Sequence, residues 1–201
     1  MGLRDLEIAH DHFLIPEDVQ IFINDAHGRI EDFLNHNPTV PGFVPSDFGR
    51  VYAALVSVLE GGMLTGLRFC EWGSGFGAVS GLASMLGFDV CGIEIEPELV
   101  DYAESLAGDY DLCVEYVRGS FIPEGCNDLA DDLGDICWLI TDVASAYEEL
   151  GLDVDDFDII FAYPWPGEEH VVERIFEATA ATGAILVTYR GMEDLKFHRK
   201  V

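Results

Sequence analysis

The chain has 201 residues, 49% of them hydrophobic, and 38 acids against 10 lysines and arginines give it a formal charge of −28. That length and apolar content suffice for one domain, residues 1–201, with a three-layer core. A field of this sign repels nucleic-acid backbones and anionic membranes, so nucleic acid is disfavoured as a partner; it suits a cationic substrate or a basic protein, and equally plain solubility or a high-salt setting. Cys70, Cys91, Cys113, Cys126 and Cys137 make no Cys-x-x-Cys pair, which points to a reducing compartment. The start MGLRDLEIAHDHF is broken by charges, and no apolar run approaches a membrane span, so a soluble, cytoplasmic protein without membrane association is expected. His10-x-His12 lacks a third ligand at useful spacing, and no metal is expected.

In chain order, Pro16 opens a pattern with apolar Val19, Phe22, Ile23, Ile30 and Phe33 that predicts a helix to about residue 35. Ser46 or Asp47 can cap a second helix running to about Leu59. Residues 1–62 thus read as a helical N-terminal extension covering the core, and residues 63–201 as the core itself. Leu67–Trp72 is a short apolar run of the kind a buried parallel strand shows. It breaks at Gly73-Ser74-Gly75-Phe76-Gly77, a helix opens at Ala78, and a second run, Phe88–Ile95, holds Glu94 at its end. Pro97–Ala107 predicts a helix and Cys113–Val117 a third strand ending at Arg118-Gly119-Ser120-Phe121. Residues 122–156 are acidic and hard to read. They hold an apolar run, Trp138–Ile140, that would form an extra strand or pack under the sheet, then Asp142, and a short helix is expected at Ser145–Leu150. Phe157–Ala162 is the fourth strand and runs into Tyr163-Pro164-Trp165-Pro166-Gly167. A helix from Glu168 to Ala180, where His170 reads as solvated, and a fifth strand, Ala184–Tyr189, follow. The fold class is therefore α/β: a doubly wound, mostly parallel sheet of order 3-2-1-4-5 flanked by helices. Leu195–His198 leaves room for a short sixth strand and a truncated C-terminal hairpin.

In such a sheet ligands lie beyond the carboxyl ends of the strands, so the glycine turn and Glu94 should face one molecule. Gly73-x-Gly75-x-x-Ala78 with an acid some 20 residues on also satisfies the dinucleotide fingerprint. Glu71 discriminates. A carboxylate within about 4 Å of a phosphate charge costs roughly 1 kcal/mol in water and about 4 kcal/mol at an effective dielectric near 20. An acid there suits a cation instead, as the ammonium and sulfonium of S-adenosylmethionine provide.

Glu71-x-Gly73-x-Gly75-x-Gly77 resembles the first motif of class I S-adenosylmethionine-dependent methyltransferases, and GIEIEPELVDYA resembles the second. The likeness covers about residues 66 to 190. It implies S-adenosylmethionine as cofactor, with Glu71 on its amino group, Gly73, Ser74, Gly75 and Gly77 giving close backbone approach, Glu94 at the ribose, and Ile95 among the cofactor-binding residues. It also implies adenine beside Ser120 and Phe121, where relatives commonly carry an acid; Asp142 is a substitute to weigh. Tyr163-Pro164-Trp165-Pro166 resembles the Asn/Asp-Pro-Pro-aromatic motif of amino methyltransferases but lacks its leading amide or acid. Tyr163 and Trp165 are expected to line the methyl-transfer site, whereas a packed aromatic turn is the plain alternative. The Pro45-Ser46 turn is loosely similar to one in small lysine methyltransferases of the ATP-synthase c-subunit type. The expected function is methyl transfer to an acceptor, a protein or small-molecule amine among the candidates. The alternatives are an NAD-dependent oxidoreductase and a non-catalytic S-adenosylmethionine-binding protein.

Overall fold

A computed structural model of the chain describes residues 2–8, 14–36, 44–126, 129, 143–190 and 194–201. His10, His12, Cys137, Trp138–Ile140 and Asp142 lie outside the described residues. The strands are β1 (Leu3–Asp5), β2 (Arg68–Trp72), β3 (Asp89–Glu94), β4 (Val114–Arg118), β5 (Ile159–Ala162), β6 (Ile185–Tyr189) and β7 (Leu195–Lys200). The helices are α1 (Glu17–His36), α2 (Phe48–Glu60), α3 (Ala78–Met85), α4 (Pro97–Asp109), α5 (Tyr147–Leu150) and α6 (Glu169–Thr179).

Local chemistry accounts for most of these elements. Val19, Phe22, Ile23, Ala26, Ile30 and Phe33 recur at helical spacing and form the buried stripe of α1. Asp47 caps α2 by accepting the Arg50 backbone N–H at 3.0 Å, and Pro97 occupies the first turn of α4. Along β2 and β5 successive side chains alternate between two cores. Phe69, Ile159 and Phe161 face the layer of α1, α2, α3 and α4, while Cys70, Trp72, Ile160 and Ala162 face α5 and α6.

The sheet has seven strands in the order β1-β7-β6-β5-β2-β3-β4. β4, β3, β2, β5 and β6 are parallel, and β7 runs antiparallel beside β6. The expectation fails at this antiparallel end. The sheet is not truncated, and the N-terminal segment is not purely helical: Leu3–Asp5 pairs antiparallel with β7, so the second strand of the expected hairpin comes from the opposite end of the chain. Three residues, two of them exposed charges, carry no alternation that could have announced this strand. From β2 the chain winds one way to β3 and β4, then returns to add β5 on the other side of β2. The crevice of a doubly wound sheet therefore opens beyond the ends of β2 and β5. Among the described residues no helix is long and apolar enough to cross a membrane.

Candidate active site

β2 ends in Glu71 and Trp72, and the chain then makes the glycine turn. Gly73 (φ +74°), Gly75 (φ +53°) and Gly77 (φ +68°) all take the left-handed backbone that a side chain resists. The N–H groups of Gly73 and Ser74 both donate to the Ile93 carbonyl at 2.9 Å, which pins the turn to the end of β3.

Two glutamates hold this turn from either side. Glu71 is 5% exposed, and its Oε2 accepts both the backbone N–H of Ser80 (2.8 Å) and the Ser80 hydroxyl (2.6 Å), so it ties the end of β2 to the first turn of α3. Burial pushes its carboxyl up to about 8; the Ser80 bonds oppose the rise and the charge of Glu94 adds to it. Glu94 accepts Gly75 N–H through Oε2 at 2.8 Å and, through Oε1, the N–H groups of Ile95 and Glu96 at 2.7 and 3.0 Å. Burial raises its carboxyl as well, against the pull of those three bonds.

A cavity of about 280 Å³ opens over the turn. Glu71, Gly73, Ser74 and Gly75 border it on one side, and Glu94 and Ile95 beside them. Ser120 and Phe121 line it beyond β4, and Tyr163 and Trp165 beyond β5, so residues read from separate stretches of sequence meet around one space. Gly77 does not line it. A Cβ there would run into the Tyr116 hydroxyl and lie 2.9 Å from the Ala103 Cβ, so this glycine serves packing rather than approach to a ligand. At Gly73, by contrast, a Cβ would meet nothing within 4 Å.

Besides the Pro45-Ser46 turn, several wall residues carry no site signal in the sequence. Trp72 stacks on Phe121 with ring centroids 4.9 Å apart and planes 9° from parallel, backing the Ser120–Phe121 side. Ile30 of α1, Phe48 of α2 and Pro45-Ser46 close the cavity from above. Glu168 is 4% exposed and borders the cavity beside Trp165. Helix-start spacing signals Ser80, at the third position of α3. Nothing local marks Glu168, which reads as an ordinary first-turn acid.

The electrostatics of the wall are one-sided. Its charged side chains are Glu71, Glu94, Glu96 and Glu168, and no Lys, Arg or His among the described residues lines it. Ser74 Oγ is buried within the glycine turn without a hydrogen-bond partner. The lining fits an amino-acid nucleoside: carboxylates for an ammonium and a ribose diol, and apolar and aromatic side chains for a base. A diphosphate would meet carboxylates and no counter-charge beyond backbone N–H groups.

Fold and glycine turn together define the class I S-adenosylmethionine-dependent methyltransferase fold. Among solved structures, a methyltransferase from Geobacter sulfurreducens is similar over 93% of this chain and 99% of its own, with a TM-score of 0.55 at 12% identity. An S-adenosylhomocysteine-bound methyltransferase from Podospora anserina is similar over 89% of this chain, which spans 64% of the Podospora chain, with a TM-score of 0.56 at 13% identity. An RNA methyltransferase from Salinibacter ruber in complex with S-adenosylhomocysteine matches 78% of this chain and 92% of its own, with a TM-score of 0.50 at 18% identity. No protein-family model and no curated protein matches the sequence.

Proposed function

We propose that the chain is an S-adenosylmethionine-dependent methyltransferase whose acceptor is an amine of a small molecule or basic protein. One observation carries the reading: the cavity over the glycine turn is walled by glutamates with no basic side chain among the described residues. That charge pattern favours a ligand bearing an ammonium and a sulfonium over a nicotinamide dinucleotide with its diphosphate.

In this reading Glu71 holds the donor's ammonium and Glu94 its ribose hydroxyls. Gly73, Ser74 and Gly75 bring bare backbone against the donor. Ile95, Ser120 and Phe121 border the adenine. The donor supplies an activated methyl group on a cationic sulfur. The protein's part is to orient the acceptor and exclude water, which needs few catalytic groups. Tyr163 and Trp165 wall the transfer end, where an aromatic face attracts a cation by roughly 0.5–2 kcal/mol. Pro45 and Ser46, the turn behind the loose likeness to c-subunit lysine methyltransferases, border the same cavity.

Calorimetry with S-adenosylhomocysteine and, separately, NADH tests the reading, followed by transfer of labelled methyl into a proteome extract. Binding of the first and not the second, with label appearing in an amine, is the expected result. NADH binding without S-adenosylhomocysteine binding would favour the oxidoreductase. Binding of S-adenosylhomocysteine with no label transferred would favour a non-catalytic binder.

A further inference from the structure

We infer that the start of α2, through the Ser46 hydroxyl, holds the donor's carboxylate and so makes the site selective for a donor that keeps it; this rests on the methyl-donor reading above. S-adenosylmethionine is a zwitterion at its amino-acid end, with ammonium and carboxylate on one carbon. Glu71 answers the ammonium. The carboxylate then lies against a wall whose charged side chains, among the described residues, are all acids, and it needs hydrogen-bond donors there. The hydroxyls and indoles of the wall reduce to one candidate. Ser74 Oγ and Trp72 Nε1 are sealed inside the protein. Ser120 Oγ accepts the Ile122 N–H at 3.1 Å and stands with Phe121 beyond β4, where the base is placed. Tyr163 and Trp165 stand beyond β5, at the transfer end. Ser46 remains. It is 7% exposed and borders the cavity, and its hydroxyl meets no partner among the described residues without being sealed as that of Ser74 is.

The backbone beside Ser46 adds to it. The first N–H groups of a helix have no acceptor within the helix. In α2, Asp47 accepts that of Arg50 through its side chain and that of Val51 through its carbonyl, both at 3.0 Å, while those of Phe48 and Gly49 have no acceptor among the described residues. Asp47 does not line the cavity, and its other oxygen lies 3.8 Å from the Arg50 guanidinium. Phe48 does line it. α3 also starts at the cavity, but Glu71 already takes the Ser80 N–H in its first turn, so a second acid group there is unfavourable. α2 packs against α3, and Ser46 and Phe48 border the same space as the glycine turn. A carboxylate at the start of α2 therefore gains a helix N-terminus and a charge-assisted hydroxyl bond. Decarboxylated S-adenosylmethionine keeps the ammonium, the sulfonium, the ribose and the base but forfeits both, although its higher positive charge suits a chain of charge −28. Selectivity against it has to come from these local donors.

The full chain is titrated calorimetrically, at physiological ionic strength, with S-adenosylmethionine and with its decarboxylated form. Wild type should bind the first more tightly. Ser46→Ala should weaken S-adenosylmethionine about tenfold and leave the decarboxylated form within about twofold, since only the first loses a hydrogen bond to a charged group. Ser46→Thr keeps the hydroxyl and should keep most of the preference. Ser57→Ala removes a hydroxyl bonded to the Ala53 carbonyl farther along α2 and should change neither affinity. Three results overturn the inference. Wild type binds the two forms equally or prefers the decarboxylated one; Ser46→Ala weakens both in proportion, which is a structural effect; or Ser46→Ala changes neither, which would place the carboxylate elsewhere. If wild type binds neither form, the donor reading itself fails and this one falls with it.

Discussion

Ser80 donates its backbone N–H and its hydroxyl to the same oxygen of Glu71, at 2.8 and 2.6 Å. The residue that borders the cavity is thereby also the one that seats α3, because its oxygen takes up two donors of that helix's first turn. Cofactor chemistry and fold stability are coupled through one side chain.

The first consequence is a pH dependence of stability. The Glu71 carboxyl rises from 4.5 to about 8 on folding, so the folded chain binds more protons than the unfolded one between those values. Its stabilising contribution is complete below about pH 4.5 and is lost as pH climbs through about 8. Urea denaturation at a series of pH values should show wild type losing stability over this window. Glu71→Gln should lose less, and identical slopes would contradict the coupling.

Ligand binding should run the other way. A cation beside Glu71 favours the carboxylate, so S-adenosylhomocysteine should bind more tightly as pH rises toward about 8 and should release a proton at neutral pH. Calorimetry in buffers of different ionisation enthalpy counts that proton. Glu71→Gln should abolish its release, and Glu71→Ala should weaken binding by about 1–3 kcal/mol as the buried partner is lost.

Glu94 ties Gly75, Ile95 and Glu96 together through backbone N–H bonds. Glu94→Ala leaves these donors without their acceptor. It should cost about 1–3 kcal/mol of stability besides weakening the cofactor. Glu94→Gln keeps one acceptor oxygen and should retain part of the stability. Melting temperatures with and without S-adenosylhomocysteine separate the two effects.

Gly77 predicts a different signature. Gly77→Ala forces a side chain onto φ +68° and into the Tyr116 hydroxyl, at an expected cost of about 1–3 kcal/mol. Tyr116→Phe removes the hydroxyl, so the double variant should recover part of the loss while the backbone strain persists. A double-mutant cycle by chemical denaturation reads the coupling, and strict additivity would refute the steric account.

Thiol reactivity reports the sheet. Cys113 is exposed, whereas Cys70 and Cys91 are buried register partners on β2 and β3. Burial raises both thiols, that of Cys91 to about 12, and suppresses the reactive thiolate. Iodoacetamide with peptide mapping should label Cys113 in the native protein and reach Cys70 and Cys91 only after denaturation.

Much of this was legible in sequence because it is local. Short continuous apolar runs mark β2 and β5, the helical recurrence of Val19, Phe22 and Phe33 marks α1, and Asp47 sits where a helix start needs an oxygen. Gly73 and Gly75 announce a turn because only glycine enters that backbone region without cost, and Glu94 follows at the end of the next strand.

What only the tertiary structure decided lies in pairings across the chain. Leu3–Asp5 becomes a strand because β7 offers an unpaired edge, not because its residues favour one. Glu71 is bonded to Ser80 because β2 and α3 are brought side by side. Gly77 is needed for Tyr116, 39 residues away. Glu168 changes from a surface-type acid to a cavity wall because the corner after β5 folds over the end of β2. Sequence spacing records which side chains share a face of one element. Which faces meet, and so which charges are buried together, is set by the register of strands far apart in the chain.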